Sequence, residues 1–391
     1  MSIYVIDGAR TPFGSFGNSL KDVNPTQLGE LTAIEAMKRA RVSPEDITDV
    51  VYGNVIHSSK NAAYVARHTA LKAGVPSDVP AMLVNRLCGS GMQAVVSAMQ
   101  NLRDYNEGIA LCGGIENMSQ SPHVSFSNRF QSQKFGMISF EDMLLHTLSD
   151  EYLGYGMGIT AENLAQEHTI SREEQDEYAN WSHQQAAKAR ESGRLAREII
   201  SVPLKNGESF SEDEGIKPQT TVSKLGQLRS SFQKDGTVTA GNSSSINDGA
   251  VSLILAHEKN VHQKKLKPLV EIVSWAVTGV DPSIMGIGPV PAIQKALAHA
   301  KLSINDIGLF EINEAFSAQY VAVEKQLKLD RKKTNVNGGA IALGHPVGAS
   351  GARLILTLAY EMEQRNETYG VASLCIGGGQ GIAMVLKLAK R

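Results

Sequence analysis

The sequence predicts an α/β protein made of two related halves with a different segment inserted between them. Its two ends repeat at a constant shift of 260 positions, which relates Ser43, Asp46 and Ile47 to Ser303, Asp306 and Ile307, and Ser90 and Gly91 to Ser350 and Gly351. In each copy, short apolar runs alternate with segments of helical periodicity, and Gly-rich turns join them. Alternating strands and helices pack as layers in α/β proteins, so the repeat indicates an internal duplication of such a unit.

The first copy begins with a predicted strand. Residues 1–10 form a short apolar run that ends with Asp7 and Arg10. The run lacks the basic start and the longer apolar stretch of a signal peptide, and is more typical of a buried strand. Apolar residues at helical spacing follow Cys88-Gly-Ser-Gly91, and residues 109–114 predict a strand that ends in two glycines.

The second copy follows the same order. Helical spacing after Gly348-Ala-Ser-Gly351 predicts a helix that includes Leu354 and Met362. Residues 371–379 predict an apolar strand that ends in three glycines. We therefore expect two similar α/β halves that pack on each other.

A polar segment from Ser119 to Asn247 separates the two copies. Ser171-Arg-Glu-Glu174 matches a capping box, and residues 173–197 predict a solvated, amphipathic helix. The segment is interpreted as loops and helices that cover a site, and a plain surface insertion is an equal alternative. The chain thus divides into a first half (1–118, completed by about 248–268), a loop domain (119–247) and a second half (269–391).

Composition excludes several classes of protein. Of 391 residues, 42% are hydrophobic and 20% are charged, as in ordinary soluble domains. The 38 Lys and Arg balance 40 Asp and Glu, which argues against nucleic acid as a partner because that binding needs a surplus of cations. Three cysteines exclude a disulfide framework. No run reaches the roughly 20 apolar residues of a membrane helix, so a cytoplasmic protein without a membrane partner is expected.

Cys88 is a candidate nucleophile because it lies immediately before a predicted helix. The positive end of the helix dipole stabilises a thiolate, so the pKa of Cys88 is expected to fall below its usual value of about 8.5. Gly89 and Gly91 are expected to let a substrate approach the backbone closely. A buried structural cysteine is the alternative, and it is the more common fate of a free cysteine.

The second copy places His345 in the turn equivalent to that of Cys88. If the halves pack as symmetric partners, the two turns converge, and a cysteine beside a histidine forms an activated nucleophile with its base. Cys375 precedes three glycines, whose N–H groups are suited to hold negative charge on a thioester oxygen. Cys112 is interpreted as core packing. The histidines show no metal-ligand spacing, so no metal is expected.

Four motifs in order resemble the thiolase family, in particular its acetyl-CoA acetyltransferase branch. They are Leu87-Cys-Gly-Ser-Gly91, Asn313-Glu-Ala-Phe316, the Gly-rich run from Asn337 to Gly351, and Cys375-Ile-Gly-Gly-Gly379. The resemblance covers essentially the whole chain and includes Gly154-Tyr-Gly-Met-Gly158 and Thr239-Ala-Gly-Asn242 in the inserted segment.

The resemblance implies a five-layered α/β/α/β/α fold of two duplicated halves, a loop domain that covers coenzyme A, and a homotetramer built as a dimer of dimers. It also implies catalytic roles. Cys88 is the acylated nucleophile, His345 activates it, and Cys375 is the acid and base. Asn313 holds a water at the thioester oxygen, while the N–H groups of Cys88 and Gly377 form a second oxyanion site.

The resemblance also implies how the CoA thioester is bound. The residues expected to line the pantetheine tunnel are Leu148, Met157, Phe232, Ala240 and Ser244, and Phe316 belongs to the same set. Lys217 stands where relatives commonly carry Arg near the nucleotide phosphates. This difference keeps the charge but loses the planar fork of a guanidinium group.

The expected activity is that of an acetyl-CoA C-acetyltransferase, which condenses two acetyl-CoA to acetoacetyl-CoA and CoA through acyl-Cys88, without a cofactor. Gly156 departs from the pattern, because close biosynthetic relatives carry His there. The missing imidazole leaves either a wider tunnel or a space filled by Tyr155 or Met157. The alternative is a 3-ketoacyl-CoA thiolase of broader chain length that acts in fatty-acid degradation.

Two further classes are disfavoured. A β-ketoacyl synthase uses Cys with two His or with His and Asn, whereas Cys375 before a glycine triplet favours a thiolase. A non-catalytic binding or scaffold protein of the same fold is disfavoured because Cys88, Asn313, His345 and Cys375 are all present.

Overall fold

The computed structural model describes residues 2–130 and 135–389; the remaining positions, which include four of the expected loop domain, lie outside the described residues. The strands of the main sheets are β1 (Ile3–Arg10), β2 (Asp49–Gly53), β3 (Ala81–Val84), β4 (Ile109–Asn117), β5 (Asn247–His257), β6 (Val270–Gly279), β7 (Leu309–Ile312), β8 (Tyr369–Ile376) and β9 (Gln380–Leu388).

The helices are α1 (Pro25–Ala40), α2 (Val65–Lys72), α3 (Ser90–Tyr105), α4 (Met143–Thr147), α5 (Met157–Glu167), α6 (Arg172–Glu191), α7 (Val222–Gly226), α8 (Glu258–Lys264), α9 (Pro289–Ala300), α10 (Ser317–Leu327), α11 (Ala340–Leu343) and α12 (Val347–Arg365). Two-residue strands lie at Gly14–Ser15, His123–Val124, Glu141–Asp142, Ser149–Asp150, Tyr155–Gly156, Val202–Pro203 and Ser209–Phe210. Single 3₁₀ turns lie at Pro44–Asp46, Ala62–Tyr64, Met118–Gln120, Leu195–Arg197, Ile304–Asp306 and Arg331–Lys333, and a longer one covers Pro282–Ile287.

The strands form one continuous hydrogen-bonded path that divides into two layers, a first sheet from the first half and a second sheet from the second half. In the first half the order is β3-β2-β4-β5-β1, with β2 parallel to both neighbours and the other pairs antiparallel. In the second half the order is β7-β8-β9-β6, and only β7 and β8 are parallel. The sheets join where Tyr4 pairs with Glu271 and Val5 pairs with Val270.

The layers of the molecule follow from which face of each sheet is covered. α3 and α12 pack on each other between the sheets, and their apolar side chains share one core with both inner sheet faces. On β2, Val51 faces this central core, while its neighbours Val50 and Tyr52 face a second core beneath α1 and α2. α9 and α10 cover the outer face of the second sheet. The predicted α/β/α/β/α order of layers is confirmed.

The duplication is visible element by element. A shift of 260 residues takes the starts of β2 and β4 onto those of β7 and β8, and the ends of α1 and α3 onto those of α9 and α12. The residue after each of these four helices is left-handed: Arg41, Asn106, Lys301 and Asn366 have φ between 56° and 57°. Turn chemistry as well as apolar spacing is therefore repeated.

The helix expected over residues 173–197 is shorter and more buried than predicted. α6 ends at Glu191, because Gly193 adopts a left-handed φ of 76° and turns the chain. The expected capping box is present: Ser171 Oγ accepts the Glu174 N–H, and the Glu174 carboxylate accepts the Ser171 N–H. One face of α6, including Tyr178, packs against α10 and α11, so the helix is solvated on one side only.

Among the described residues, no helix combines the length and the apolar character needed to cross a membrane. The boundaries expected for the three domains stay predictions.

Candidate active site

Cys88 lies in a tight turn between β3 and α3. Leu87 before it has a φ of 45°, in the left-handed region that bulky residues rarely adopt. Ser90 Oγ accepts the Arg86 N–H at 2.8 Å and donates to the Leu87 carbonyl at 2.6 Å. Asn85 Oδ1 accepts the Leu87 N–H at 2.9 Å. These bonds stabilise a strained backbone and place Cys88 two residues before α3.

His345 lies in the equivalent turn, before α12. Its Nδ1 is 2.6 Å from Ser350 Oγ, and Ser350 donates to the Pro346 carbonyl at 3.0 Å. The hydroxyl proton is thereby used, which assigns the imidazole proton to Nδ1 and leaves a lone pair on Nε2. Asn313 Nδ2 lies 3.4 Å from that Nε2, and the His345 N–H donates to Asn247 Oδ1 at 2.9 Å. The ring is held at both nitrogens.

The glycine-rich turn after β8 meets the Cys88 turn. The Gly377 N–H donates to the Cys88 sulfur. A Cβ at Gly377 would lie 3.2 Å from Leu87 Cδ1 and 3.5 Å from the sulfur of Met157. Cys375 is only 1% exposed, and it packs in a small apolar cluster with Met285, Ala315, Met157 and Phe316. The glycine-rich turn of the second half therefore meets the Cys88 turn of the first half.

Burial dominates the electrostatics of the site. It raises the pKa of the Cys88 thiol to about 11, opposed by the hydrogen bond from Gly377 and assisted by the nearby Glu116 carboxylate. It lowers the pKa of His345 to about 3, and the Arg353 charge acts in the same direction. The expectation that the helix dipole lowers the pKa of Cys88 is wrong, because loss of hydration outweighs the dipole. In the free protein the pair is a neutral thiol and a neutral imidazole.

Burial likewise raises the pKa of the Cys375 thiol well above its ordinary value, and the neighbouring Cys88 adds to this shift. Cys112 is fully buried in the central core, which agrees with its interpretation as core packing.

The glycines beside Cys88 serve contact between the halves. A Cβ at Gly91 would lie 2.8 Å from the Ala352 nitrogen and 2.9 Å from the Gly348 oxygen. A Cβ at Gly89 would lie 2.5 Å from Ile376 Cδ1. The group that approaches these glycines closely is therefore the backbone or a side chain of the second half, and the approach of a substrate stays a prediction.

Two expected substrate-binding aromatics lie together. The rings of Phe232 and Phe316 meet edge to face, with centroids 5.9 Å apart. A Cβ at Gly158 would lie 2.2 Å from Phe232 Cγ, so this glycine allows the ring to lie on α5. Ser244 joins them, since its N–H donates to the Ala315 carbonyl at 2.9 Å.

Leu148 and Met157 connect the inserted segment to the surroundings of Cys88. The Met157 N–H donates to the Leu148 carbonyl at 2.9 Å. Leu148 and Cys88 pack against one apolar cluster, formed by Ile56, Met118, Leu144 and Val347. Substrate-binding candidates from the insertion therefore reach the Cys88 turn.

Two other expected substrate-binding residues, Lys217 and Ala240, are exposed at the surface. The Lys217 N–H donates to Nδ1 of His183, a residue of α6, at 3.3 Å. Burial and the Lys217 charge lower the pKa of His183 to about 4. Ala240 lies in a turn in which Asn242 Oδ1 accepts the Thr239 N–H at 2.8 Å. The contacts of the described residues do not link Lys217 with Cys88.

Three residues that sequence reasoning did not single out hold this site. Ser350 orients His345, Asn247 accepts the His345 N–H, and Glu116 accepts N–H groups from both halves. Ser350 carried a signal, because it repeats Ser90. Glu116 and Asn247 follow no motif and become visible only from their complete burial in the fold.

Comparison with known proteins gives consistent matches. The model of the thiolase N-terminal domain matches residues 3–259, and that of the C-terminal domain matches residues 266–388. The chain is 48% identical over 388 residues, 98% of each protein, to a mitochondrial 3-ketoacyl-CoA thiolase of Homo sapiens. The crystal structure of the human mitochondrial 3-ketoacyl-CoA thiolase in complex with CoA has a TM-score of 0.97 and 46% identity, covering 100% of this chain and 98% of that one.

These matches confirm the expected fold and correct the expected activity. The acetyl-CoA acetyltransferase of Bacillus anthracis also shares the fold, with a TM-score of 0.96 and coverage of 99% of each chain, but only 42% identity. Because the chain is 48% identical to a 3-ketoacyl-CoA thiolase, the expectation of an acetyl-CoA C-acetyltransferase is wrong, and the comparisons favour the alternative of broader chain length.

Proposed function

Since the chain belongs to the thiolase family of acyltransferases, we propose that it is a 3-ketoacyl-CoA thiolase that cleaves substrates of several chain lengths in fatty-acid degradation. The observation that carries the chain-length assignment is the 48% identity, over nearly all of both chains, to a 3-ketoacyl-CoA thiolase. Cys88 lies beside Cys375, and it packs against a cluster that contains Val347, two residues after His345; these groups are the ones that such a cleavage needs.

In the first step the Cys88 sulfur attacks C3 of the 3-ketoacyl-CoA, and its proton passes to the lone pair of His345 Nε2, which Asn313 Nδ2 contacts at the long distance of 3.4 Å. The N–H groups of Cys88 and Gly377 hold the oxyanion on C3. The C2–C3 bond then breaks, and the acetyl-CoA carbanion takes a proton from Cys375. The enolate oxygen is held by protonated His345 and by a water on Asn313. The products are acetyl-CoA and a shortened acyl-Cys88.

In the second step free CoA gives its thiol proton to the Cys375 thiolate and attacks acyl-Cys88. The new thioester forms, the bond from carbon to the Cys88 sulfur breaks, and Cys88 recovers its proton from His345. Every group returns to its starting state, so the proposal needs no cofactor. Exchange between two thioesters is nearly balanced in energy, which suits a thiol nucleophile.

The proposed substrate contacts are made by residues that the inserted segment brings close to Cys88. The proposed path of pantetheine runs along Phe232, Phe316 and Met157 to Cys88. Lys217 is proposed to meet the nucleotide phosphates as a point charge. The homotetramer and the cytoplasmic location also belong to the proposal.

The test is CoA-dependent cleavage of four-carbon and eight-carbon 3-ketoacyl-CoA by the wild type and Cys88→Ser. We expect the wild type to cleave both, and mass spectrometry to find on Cys88 an acyl group two carbons shorter than the substrate. Cys88→Ser should form no acyl-enzyme, because a hydroxyl is far less ionised than a thiol. Cleavage confined to acetoacetyl-CoA would refute the proposed chain-length range, and an active Cys88→Ser would refute the nucleophile.

A further inference from the structure

Glu116 is a buried carboxylate at the point where the two halves touch. It lies near the end of β4 and is fully buried. Its Oε1 accepts the Ile56 N–H at 3.1 Å and Asn54 Nδ2 at 3.0 Å. Its Oε2 accepts the Val55 N–H at 3.0 Å and the Gly348 N–H at 2.9 Å. Both oxygens are therefore occupied by donors.

These donors belong to two parts of the active site. Residues 54–56 form the loop after β2, and Ile56 belongs to the apolar cluster against which Cys88 packs. Gly348 is the second residue of α12, three positions after His345. One carboxylate thus connects the surroundings of the nucleophile with the helix that begins after the base.

The close approach at this point is built into the chain. A Cβ at Gly348 would lie 2.6 Å from Glu116 Oε2, and a Cβ at Gly114 would lie 2.0 Å from the Gly348 oxygen. Glycine at both positions allows the end of β4 to touch the first turn of α12.

A carboxylate here is costly and does not activate the nucleophile. Within the described part of the chain, no Lys or Arg forms an ion pair with Glu116, and burial raises its pKa to about 8. The N–H donors act in the opposite direction and favour the ionised form, whose negative charge opposes a thiolate on Cys88. What the carboxylate supplies instead is two oxygen atoms for three backbone N–H groups and one amide, which would otherwise be buried without acceptors.

We propose that Glu116 is a positioning residue of the thiolase reaction, which fixes the distance between Cys88 and His345 by holding the loop at residues 54–56 against the first turn of α12. The inference rests on the proposed thiolytic cleavage. Because both turns must stay in register through acylation and thiolysis, a displacement should slow turnover without weakening the binding of the CoA portion.

The test is Glu116→Gln, which keeps the shape but turns one oxygen into an NH₂ donor. The new NH₂ group then faces either the donors of Asn54 and Ile56 or those of Val55 and Gly348. Because donors repel each other at this distance, the loop at residues 54–56 and α12 should move apart. We expect kcat for cleavage to fall by about 100-fold, as for a displacement near 1 Å, with KM unchanged. Alkylation of Cys88 by iodoacetamide should persist, because the thiol itself is intact.

The matched control is Asp49→Asn, at the opposite end of the loop-bearing strand β2. Asp49 is also buried and accepts Asn101 Nδ2 at 2.8 Å, but it contacts neither turn. We expect Asp49→Asn to lower the free energy of unfolding and to keep the wild-type kcat. A normal kcat in Glu116→Gln, or an equal loss of kcat in Asp49→Asn, would overturn the inference.

Should Glu116→Gln not fold, Glu116→Asp decides the question. The shorter side chain keeps the charge and both oxygens but cannot reach the loop and Gly348 together, so kcat should again fall at constant KM. A wild-type kcat in Glu116→Asp would refute the positioning role. Failure of the proposed function shows separately, as a wild-type protein that cleaves no 3-ketoacyl-CoA.

Discussion

Ser350 Oγ lies 2.6 Å from His345 Nδ1, and its counterpart Ser90 holds the Cys88 turn through Arg86 and Leu87. The two serines are related by the shift of 260 residues that relates the halves. In each half the same hydroxyl therefore orders the turn that carries a reactive group. In the proposed function, this one duplicated element carries the nucleophile in one copy and its base in the other.

Ser350→Ala should slow cleavage while leaving substrate binding intact. Without the hydroxyl, the Nδ1 proton has no acceptor and the lone pair on His345 Nε2 is no longer enforced. A hydrogen bond of this kind contributes about 1 kcal/mol, and the loss of tautomer control adds to it, so kcat should fall by at least about tenfold. Steady-state kinetics should show this at constant KM. The control is Ser274→Ala, which removes a buried hydroxyl on β6 that donates to the Ala296 carbonyl of α9, and this variant should keep its kcat.

The fold was predictable because its signals are local and repeated. The apolar spacing of α3 and α12 and the short strands β4 and β8 require only neighbouring residues. The pKa of Cys88 was not predictable, because the helix dipole is visible in sequence whereas burial depends on the second half. The contacts of Glu116 depend on which N–H groups the folded chain brings together. The expected chain-length preference failed because it was inferred from motifs that the two branches share, whereas Gly156, a departure from the acetyltransferase pattern, pointed to a broader range.

Cys375→Ala should separate the two half-reactions. Acylation of Cys88 by acetyl-CoA uses Cys375 only to protonate the departing CoA thiolate, a proton that water can also supply, so acylation should persist in the variant at a reduced rate. Exchange of the α-protons of acetyl-CoA with solvent requires a base at Cys375 and should be lost. Deuterium incorporation, followed by mass spectrometry, measures this directly, and Cys112→Ala is the control for loss of a buried thiol. Exchange at the wild-type rate in Cys375→Ala would show that another group is the base.

Gly91→Ala should destabilise the contact between the halves. The new methyl group would meet the backbone of Gly348 and Ala352 at less than 3 Å, and neither helix can yield locally. Overpacking of this kind costs about 1–3 kcal/mol, which denaturant unfolding can measure. Gly226→Ala is the control, because a Cβ there meets nothing within 4 Å. Equal stabilities of the two variants would contradict the proposed role of Gly91 in packing.

The low pKa of His345 should make the protein sensitive to acid. Burial and the Arg353 charge lower this pKa from 6.5 to about 3, so the unfolded chain binds one more proton between these values. The free energy of unfolding must therefore fall as the pH drops below 6.5, by about 1.4 kcal/mol per pH unit for this proton. In His345→Gln this contribution should disappear, so the slope between pH 6 and pH 4 should be shallower by that amount. His299→Gln, which removes an exposed imidazole, serves as the control. Equal slopes in wild type and His345→Gln would show that this imidazole is not buried as described.

Gly156 offers a test of chain length at a single position. A Cβ there would touch only the Leu148 oxygen at 3.6 Å and Ser149 Oγ at 3.8 Å, and the backbone is extended with φ −76° and ψ 158°. The neighbouring side chains are engaged elsewhere, since the Tyr155 hydroxyl lies 3.4 Å from Asn163 Nδ2 and the Met157 sulfur lies near Gly377. The position therefore accepts a side chain without backbone strain.

Gly156→His should bring bulk beside Leu148, on the cluster that Cys88 also contacts. Each methylene of a longer acyl chain that loses its apolar contact costs up to about 0.8 kcal/mol, so displacing two of them should lower eight-carbon relative to four-carbon cleavage by about tenfold. The ratio of the two kcat/KM values is the measurement. Gly156→Ala adds a Cβ that the site accommodates and should keep the wild-type ratio. If Gly156→His leaves the ratio unchanged, the acyl chain does not pass this position, and the determinant of chain length lies elsewhere along the tunnel.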